Sequence, residues 1–433
     1  MKDPLSLDRR HLWHPYTQAV AAPEPILIQS GRGARLVGSN GREYLDLVSS
    51  WWVNLHGHAH PVIADAVAAQ ARQLEQVIFA DFTHQPAIEL ARRIAELLPG
   101  DLERIFFSDD GSTAVEVALK IAHQYWRNRG EERGAFVAFE GGYHGDTLGA
   151  MSAGASSGFF RAWEGLLFPV EFAPYPATWE GDGKAEEREA ASLVAIDQIF
   201  ERHQGRITAV VIEPLIQGAG GMRMCSPRFL ARLAEKVRSR GSLLVFDEVM
   251  TGFGRTGALF ACLKAGVAPD LICLSKGLTG GFMPLALTAC ADRIYEAFLG
   301  QSIERAFLHG HSYTANPLGC AAALASLDLL LAPGCGQRIA AIEAIHRARL
   351  SALASHPRVS RPRITGTIAA FEVAAEEAGY GSSIGPKLKE LFFQRGLLIR
   401  PLGNVLYLMP PYCIEEADLH HAWDGIAEVL EQV

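Results

Sequence analysis

The amino-acid sequence predicts an α/β fold, with a mainly parallel central sheet covered by helices on both faces and a smaller α+β unit beside it. Three features lead there. From about 61 to 330, short apolar runs alternate with stretches of helical spacing, which is how a parallel sheet with helical crossovers reads. Two of these runs, Ser242-Leu-Leu-Val-Phe-Asp247 and Asp270-Leu-Ile-Cys-Leu-Ser-Lys276, deliver a charged residue at the end of a buried stretch. After Ala332-Pro-Gly334 the order becomes helix, strand, strand, helix, a texture that marks a second unit.

Residues 1–60 carry the β-prone pieces Pro25-Ile-Leu-Ile, Ala34-Arg-Leu-Val and Glu43-Tyr-Leu-Asp between glycine turns. They predict a small hairpin layer that contributes to the smaller unit and to the active site. In 61–330, the large α/β domain, the strand candidates are Ile105-Phe-Phe, Ala135-Phe-Val-Ala-Phe, Ala209-Val-Val-Ile, Leu243-Leu-Val-Phe and Leu271-Ile-Cys-Leu. Stretches 113–129 and 227–240 have helical spacing. Residues 331–433, the smaller α+β domain, predict a helix over about 336–354, strands near 365–373 and 397–409, and a final helix from about 415. Thr178-Trp-Glu-Gly-Asp-Gly-Lys184 reads as a surface loop.

Composition narrows the function classes. At 433 residues the chain is long enough for two domains. A net charge of -8 without any long Lys/Arg run argues against gripping nucleic acid or an acidic membrane surface. The seven cysteines form no C-x-x-C pair and lie mostly among apolar neighbours, which reads as reduced core residues of a cytoplasmic protein. The first ten residues are broken by charges and proline and have no apolar core of a secretion signal. The longest greasy stretch, 320–332, is interrupted by Ser326 and Asp328 and too short to cross a bilayer.

In open α/β sheets the ligand sits outside the carboxyl ends of the strands, so Lys276 and Asp247 are aimed at one crevice. An amine for a Schiff base and a carboxylate facing a pyridine nitrogen are what pyridoxal 5'-phosphate chemistry needs; a buried ion pair is the plainer alternative. Ser108-Asp-Asp-Gly111-Ser112-Thr113-Ala-Val-Glu116 follows a strand and opens a helix, offering backbone N–H groups to an anion. Thr113 with Glu116 also fits a capping box, which serves the helix alone. No Walker A or G-x-G-x-x-G fingerprint stands at a strand-to-helix junction. Tyr143, in Glu140-Gly-Gly-Tyr143-His144-Gly145-Asp146, places an aromatic ring at another strand end, either to stack on a flat cofactor or to pack the loop. His144 and Asp146 have no second ligand cluster near them in sequence, so no metal site is expected.

In order along the chain, Gly111-Ser-Thr, Tyr143-His-Gly, Glu213-Pro-Leu-Ile-Gln-Gly, Asp247-Glu-Val-Met-Thr-Gly-Phe-Gly-Arg-Thr-Gly257 and Ser275-Lys276-Gly-Leu-Thr-Gly-Gly resemble the class III pyridoxal-phosphate-dependent aminotransferases. The resemblance runs from about residue 10 to the end, and it implies the type I fold and a homodimer whose active sites lie at the subunit interface. It gives Lys276 the Schiff base and the proton transfer, and Asp247 the pyridine nitrogen. Gly111 and Ser112 take the phosphate, with Ser312 reaching it from the neighbouring subunit, and Tyr143 stacks on the ring. Trp13-His-Pro-Tyr16, Ser49-Ser-Trp51-Trp52, His309-Gly310-His-Ser312, Arg400 and Tyr407-Leu-Met-Pro-Pro-Tyr412 are similar to the members of biotin biosynthesis that aminate 8-amino-7-oxononanoate with S-adenosylmethionine as donor. An apolar keto acid with one terminal carboxylate wants aromatic walls and a distant cation. The similarity assigns the substrate side to Tyr16, Trp51, Tyr143, Gly310 and Tyr407, with Arg400 for the carboxylate and Arg255 as a second candidate. Packing in an interface is the alternative for the aromatics. A class III enzyme acting on ornithine, 4-aminobutyrate or lysine would share the same core. A pyridoxal-binding regulator would need a fused DNA-binding domain, for which the chain has no spare length.

Overall fold

The computed structural model describes residues 3–377, 379 and 381–433. After a short helix, Pro4–His11, three strands form an antiparallel meander: β1 (Ile28–Arg32), β2 (Arg35–Gly38) and β3 (Glu43–Asp46). The first begins at Ile28, three residues past the Pro25 expected from sequence. Its register is set from the other end by the tight turn at Gly33, whose φ of 56° suits glycine, and which pairs Arg32 with Arg35.

The central sheet has seven strands. β4 (Arg104–Ser108), β5 (Ala135–Phe139), β6 (Val170–Ala173) and β7 (Ile207–Ile212) come first in the chain. Two minimal strands, β8 (Ile216–Gln217) and β9 (Arg223–Met224), then pair only with each other. β10 (Leu243–Asp247), β11 (Leu271–Leu274) and β12 (Ala286–Cys290) complete the sheet in the order β4-β12-β11-β10-β7-β5-β6. All neighbours are parallel except β12, which runs antiparallel to both β11 and β4. β7, β10, β11 and β12 are buried along their whole length, as a sheet covered on both faces requires. The Gly111–Asn128 helix packs its apolar side on one face. Ala185–His203 and Pro227–Ser239 pack into the core of the other.

Past the Pro317–Leu331 and Cys335–Leu353 helices, β13 (Val359–Thr365) and β14 (Ile368–Val373) make a hairpin. The single strand expected over 397–409 is two. β15 (Leu397–Leu398) leaves to pair in parallel with β3, while β16 (Val405–Leu408) adds to β14. The left-handed Gly403, at φ 62°, lies in the turn between them. The Glu416–Leu430 helix closes the chain. Among the described residues no single helix is long and apolar enough to cross a membrane. All seven cysteines are free, and six are buried.

Candidate active site

β10 and β11 are parallel neighbours, so their carboxyl ends open on the same side of the sheet. Asp247 is the last residue of β10, and Lys276 follows β11 by two. Lys276 is held at φ 41°, in the left-handed region that non-glycine residues rarely adopt. This turns its side chain into a cavity of about 390 Å³ whose walls include Trp52, Gly111, Ser112, Tyr143, His144, Glu213 and Asp247. Lys276 Nζ lies 5.5 Å from the centre of the Trp52 ring and makes no hydrogen bond among the described residues. Burial lowers its pKa below the usual lysine range, against the pull of Asp247 and Glu213. An amine with that bias is neutral more often than a surface lysine, as a nucleophile must be.

At the opposite wall the Gly111–Asn128 helix points its amino terminus into the cavity. Its capping box starts at Asp110, three residues earlier than expected. Asp110 caps Thr113 N–H at 2.9 Å, and Thr113 Oγ1 accepts the Asp110 N–H at 3.1 Å. Glu116 is drawn away instead to Thr147 Oγ1, at 2.8 Å, and to the Ala150 N–H, because the Leu148–Ala153 helix lies against that side. The Gly111 and Ser112 N–H groups are thus left for a ligand. Two glycines keep the seat open: a Cβ on Gly111 would stand 2.5 Å from Val249 Cγ1, and one on Gly145 would run into Ser112.

Asp247 does not face the cavity alone. His144 Nδ1 lies 2.7 Å from its Oδ2, and both side chains are buried. Burial opposes charge on the imidazole more than any other single influence, but the bond to Asp247 together with the charges of Asp247 and Glu213 outweighs it and raises the histidine above its ordinary value. Glu213 accepts the N–H of Tyr143 at 3.0 Å and of Gly218 at 2.8 Å, and burial pushes its carboxyl up to about 7. The Tyr143 ring lines the cavity, stacks against Phe160 at 6.0 Å, and donates its hydroxyl to Asp146 at 2.9 Å. An amine, a buried carboxylate some way across from it, a flat aromatic wall and a helix amino terminus together fit pyridoxal 5'-phosphate.

The other sequence candidates divide. Tyr16 donates to Asp146 at 2.8 Å and packs edge-on against Trp51, over whose ring the Arg400 guanidinium lies at 4.8 Å. Tyr16, Trp51 and Arg400 therefore make one patch reaching the cavity through Tyr143, and Arg400 has no carboxylate partner among the described residues. Tyr407 is not at the surface of the cavity. It is buried behind Trp52, whose indole N–H donates to its hydroxyl at 2.9 Å, so Trp52 is the wall and Tyr407 its support. Arg255 is also misplaced by the sequence reading. It is 1% exposed, and its guanidinium donates to the carbonyls of Pro410, Asn54 and Trp52. Its donors hold loops together and do not meet a substrate carboxylate. Gly310 and Ser312 are exposed and outside the cavity, with the Ser312 carbonyl accepting from Gln76 Nε2 at 2.7 Å. His144, Glu213, Trp52 and Asp146 carry contacts here that the sequence reading gave no role. A larger, open cleft of about 1090 Å³ along the far side of the Gly111–Asn128 helix contains neither Lys276 nor Asp247. Among the described residues no three His, Cys, Asp or Glu side chains converge as metal ligands.

The fold and this constellation are those of aminotransferases, and residues 16–430 match the family model for aminotransferase class III; the chain belongs to that family. It is 55% identical over 423 residues to adenosylmethionine-8-amino-7-oxononanoate aminotransferase of Synechococcus elongatus, covering 98% of this chain and 99% of that one. The crystal structure of adenosylmethionine-8-amino-7-oxononanoate aminotransferase from Methanocaldococcus jannaschii superposes with a TM-score of 0.92 at 33% identity, over 99% of this chain and 98% of that one. An amine transaminase from an uncultivated Pseudomonas species, in a PLP-bound form, superposes at 0.91 with 29% identity, over 98% of each chain.

Proposed function

We propose that the chain is a pyridoxal-phosphate-dependent transferase that moves an amino group from S-adenosylmethionine to 8-amino-7-oxononanoate, giving 7,8-diaminononanoate for biotin biosynthesis. The observation that carries it is the full-length 55% identity to a protein of that name, joined to a cavity in which Lys276, Asp247 and a helix amino terminus face one space. When bound, pyridoxal phosphate supplies an aldehyde that captures amines and a ring that takes up the electron pair freed at the substrate carbon. The residues do the rest. Lys276 Nζ would hold the group and serve as the proton carrier, taking the proton from the donor's carbon and handing one to the carbon of the acceptor. Asp247, backed by His144, supplies the negative charge that keeps a proton on the ring nitrogen. The Gly111 and Ser112 N–H groups bind the phosphate, and Tyr143 covers the ring face. Arg400 over Trp51 is the cation for the distant keto-acid carboxylate, and Tyr16 with Trp51 forms the apolar approach to it.

A homodimer is part of this reading. Ser312 and Gly310 lie outside the cavity of their own chain, which suits residues that serve a neighbouring subunit. The free cysteines suit the cytoplasm, and the net charge of -8 suits small-molecule substrates with neither nucleic acid nor membrane as partner. Another class III activity, with ornithine, 4-aminobutyrate or lysine as donor, is the competing reading, since an amine transaminase shares the fold. The deciding experiment supplies each donor in turn with 8-amino-7-oxononanoate and pyridoxal phosphate, and follows 7,8-diaminononanoate by mass spectrometry. Product is expected with S-adenosylmethionine and not with Lys276→Ala protein. Product from ornithine or 4-aminobutyrate, and none from S-adenosylmethionine, would transfer the assignment to the competing reading.

A further inference from the structure

Two loops meet under the ring end of the cavity: one after β5, carrying Tyr143 and His144, the other after β7, carrying Glu213 and Gly218. No β-ladder joins them. Glu213 spans them with both carboxylate oxygens, Oε2 taking the Tyr143 N–H at 3.0 Å and Oε1 the Gly218 N–H at 2.8 Å, and Gln217 Nε2 adds a longer bond to the Glu140 carbonyl at 3.3 Å. The residue after Tyr143 is His144, whose Nδ1 lies 2.7 Å from Asp247. Glu213 is 6% exposed and lines the same cavity. A buried carboxyl is expensive to keep, and a helix-free loop junction has other ways to be closed.

We propose that Glu213 is a positioning residue: by clamping the Tyr143 N–H it fixes the His144 imidazole on Asp247, and its own charge helps keep that imidazole protonated. The chain of contact is short, from Glu213 through one backbone amide to His144 and then to Asp247. It rests on the reading of this cavity as the pyridoxal phosphate site and adds to it the group that sets the histidine's place and charge. The charges around the trio favour the role. His144 meets Asp247 and Glu213, both of which raise it. Glu213 in turn meets His144 and Asp247 and lies within the field of Arg223, Tyr175 and Lys276. With Glu213 ionised, two carboxylates share one imidazolium; with a neutral residue in its place, only Asp247 remains to hold the proton.

The test uses the full chain and two readouts, one of them free of cofactor and activity. Histidine-labelled protein without cofactor is titrated by NMR above neutral pH, where Glu213 is ionised, in wild type, in Glu213→Gln and in Glu140→Gln. Glu140 is an exposed carboxylate at the start of the same loop and serves as the control. In Glu213→Gln, whose amide offers one acceptor and one donor to two N–H groups, His144 should lose its proton at a pH lower by about one unit. The dissociation constant for pyridoxal phosphate, read by fluorescence quenching, should rise by about tenfold, the scale of one hydrogen bond to a charged group. Glu140→Gln should move neither. If His144 titrates in Glu213→Gln as in wild type while circular dichroism reports an intact fold, Glu213 does not position it. If Glu213→Gln does not fold, Glu213→Asp, whose shorter stem cannot hold both N–H groups, takes its place: the His144 titration should move toward that of an isolated histidine and cofactor binding should weaken, and a His144 that titrates as in wild type would overturn the positioning role. Because the titration is made without cofactor, it judges Glu213 even if wild type bound no pyridoxal phosphate, a result that would instead overturn the reading of the site.

Discussion

Single residues in this site divide by what their charged ends touch. Arg400 and Arg255 are both arginines near the substrate side, yet one guanidinium lies over an exposed ring and the other is spent on three backbone carbonyls. Arg400→Ala is therefore expected to raise the KM for 8-amino-7-oxononanoate by about tenfold or more, the scale of a lost charge-assisted bond, with the KM for the donor little changed. Arg255→Met should instead lower the melting temperature, because buried carbonyls lose their donors. Steady-state kinetics and a thermal melt on the two variants check both halves; a keto-acid KM at the wild-type value in Arg400→Ala would remove Arg400 from that role. Lys276 and Asp247 were legible from the sequence because a buried strand of parallel type must end near the ligand, whatever its neighbours are. His144 was not, since its partner Asp247 is 103 positions away and nothing local marks the bond. Trp52 was passed over for Trp51 because the usual strand or helix alternation fails there. Ser49, Ser50 and Trp52 all have positive φ, and that twist turns Trp52 inward and leaves Trp51 over the rim.

At the scale of elements, the amino terminus of the Gly111–Asn128 helix has to be stable without lending its first N–H groups to the protein. The Asp110–Thr113 box does that by satisfying Thr113 and leaving Gly111 and Ser112 open. Asp110→Ala should cost about 1 kcal/mol of stability in urea melts. A double-mutant cycle with Thr113→Val should show coupling of roughly 0.5 kcal/mol or more, and a cycle of Thr113 with Glu116 should show none. Coupling of Thr113 to Glu116 in place of Asp110 would restore the register expected from sequence. That register was misjudged because Thr and Glu three apart fit the box as well as Asp and Thr do, and only the neighbouring Leu148–Ala153 helix decides which is free. The five apolar runs became strands as expected, whereas β6 and β12 were not foreseen. β12 is alanine-rich, Ala286-Leu-Thr-Ala-Cys290, and owes its place to being buried between β11 and β4, a tertiary cause. β6 is one of the sheet's two edges and is only partly buried, so it lacks the continuous apolar run of an interior strand.

For the molecule as a whole, four buried groups pull the pH dependence of stability in opposite directions. Burial lowers His56 to about 3 and His346 to about 4 from an ordinary value of 6.5. Their stabilising contribution is complete above 6.5 and is lost as the pH falls toward those folded values. Burial raises Glu213 and Glu248 to about 7 from 4.5, so theirs is complete below 4.5 and is lost as the pH rises through 7. Between 4.5 and 6.5 two groups slope each way, at about 1.4 kcal/mol per pH unit apiece, and the net profile should be nearly flat. Glu248→Gln removes one falling slope. Its urea midpoint should then climb from pH 5 to 6.5 while that of wild type holds level, and parallel profiles for the two proteins would refute the balance.

The pairing of β15 with β3 ties residues 397–398 to residues 45–46. During synthesis on a ribosome the strand Glu43–Asp46 emerges about 350 residues before its partner, a delay of roughly 20 to 70 s at ordinary elongation rates. For all of that interval the meander β1-β2-β3 has one edge of unsatisfied N–H and C=O groups next to buried Leu45 and Leu47, the kind of edge that captures stray strands. The edge of Glu43–Asp46 is thus open to mispairing until Leu397 and Leu398 have been made.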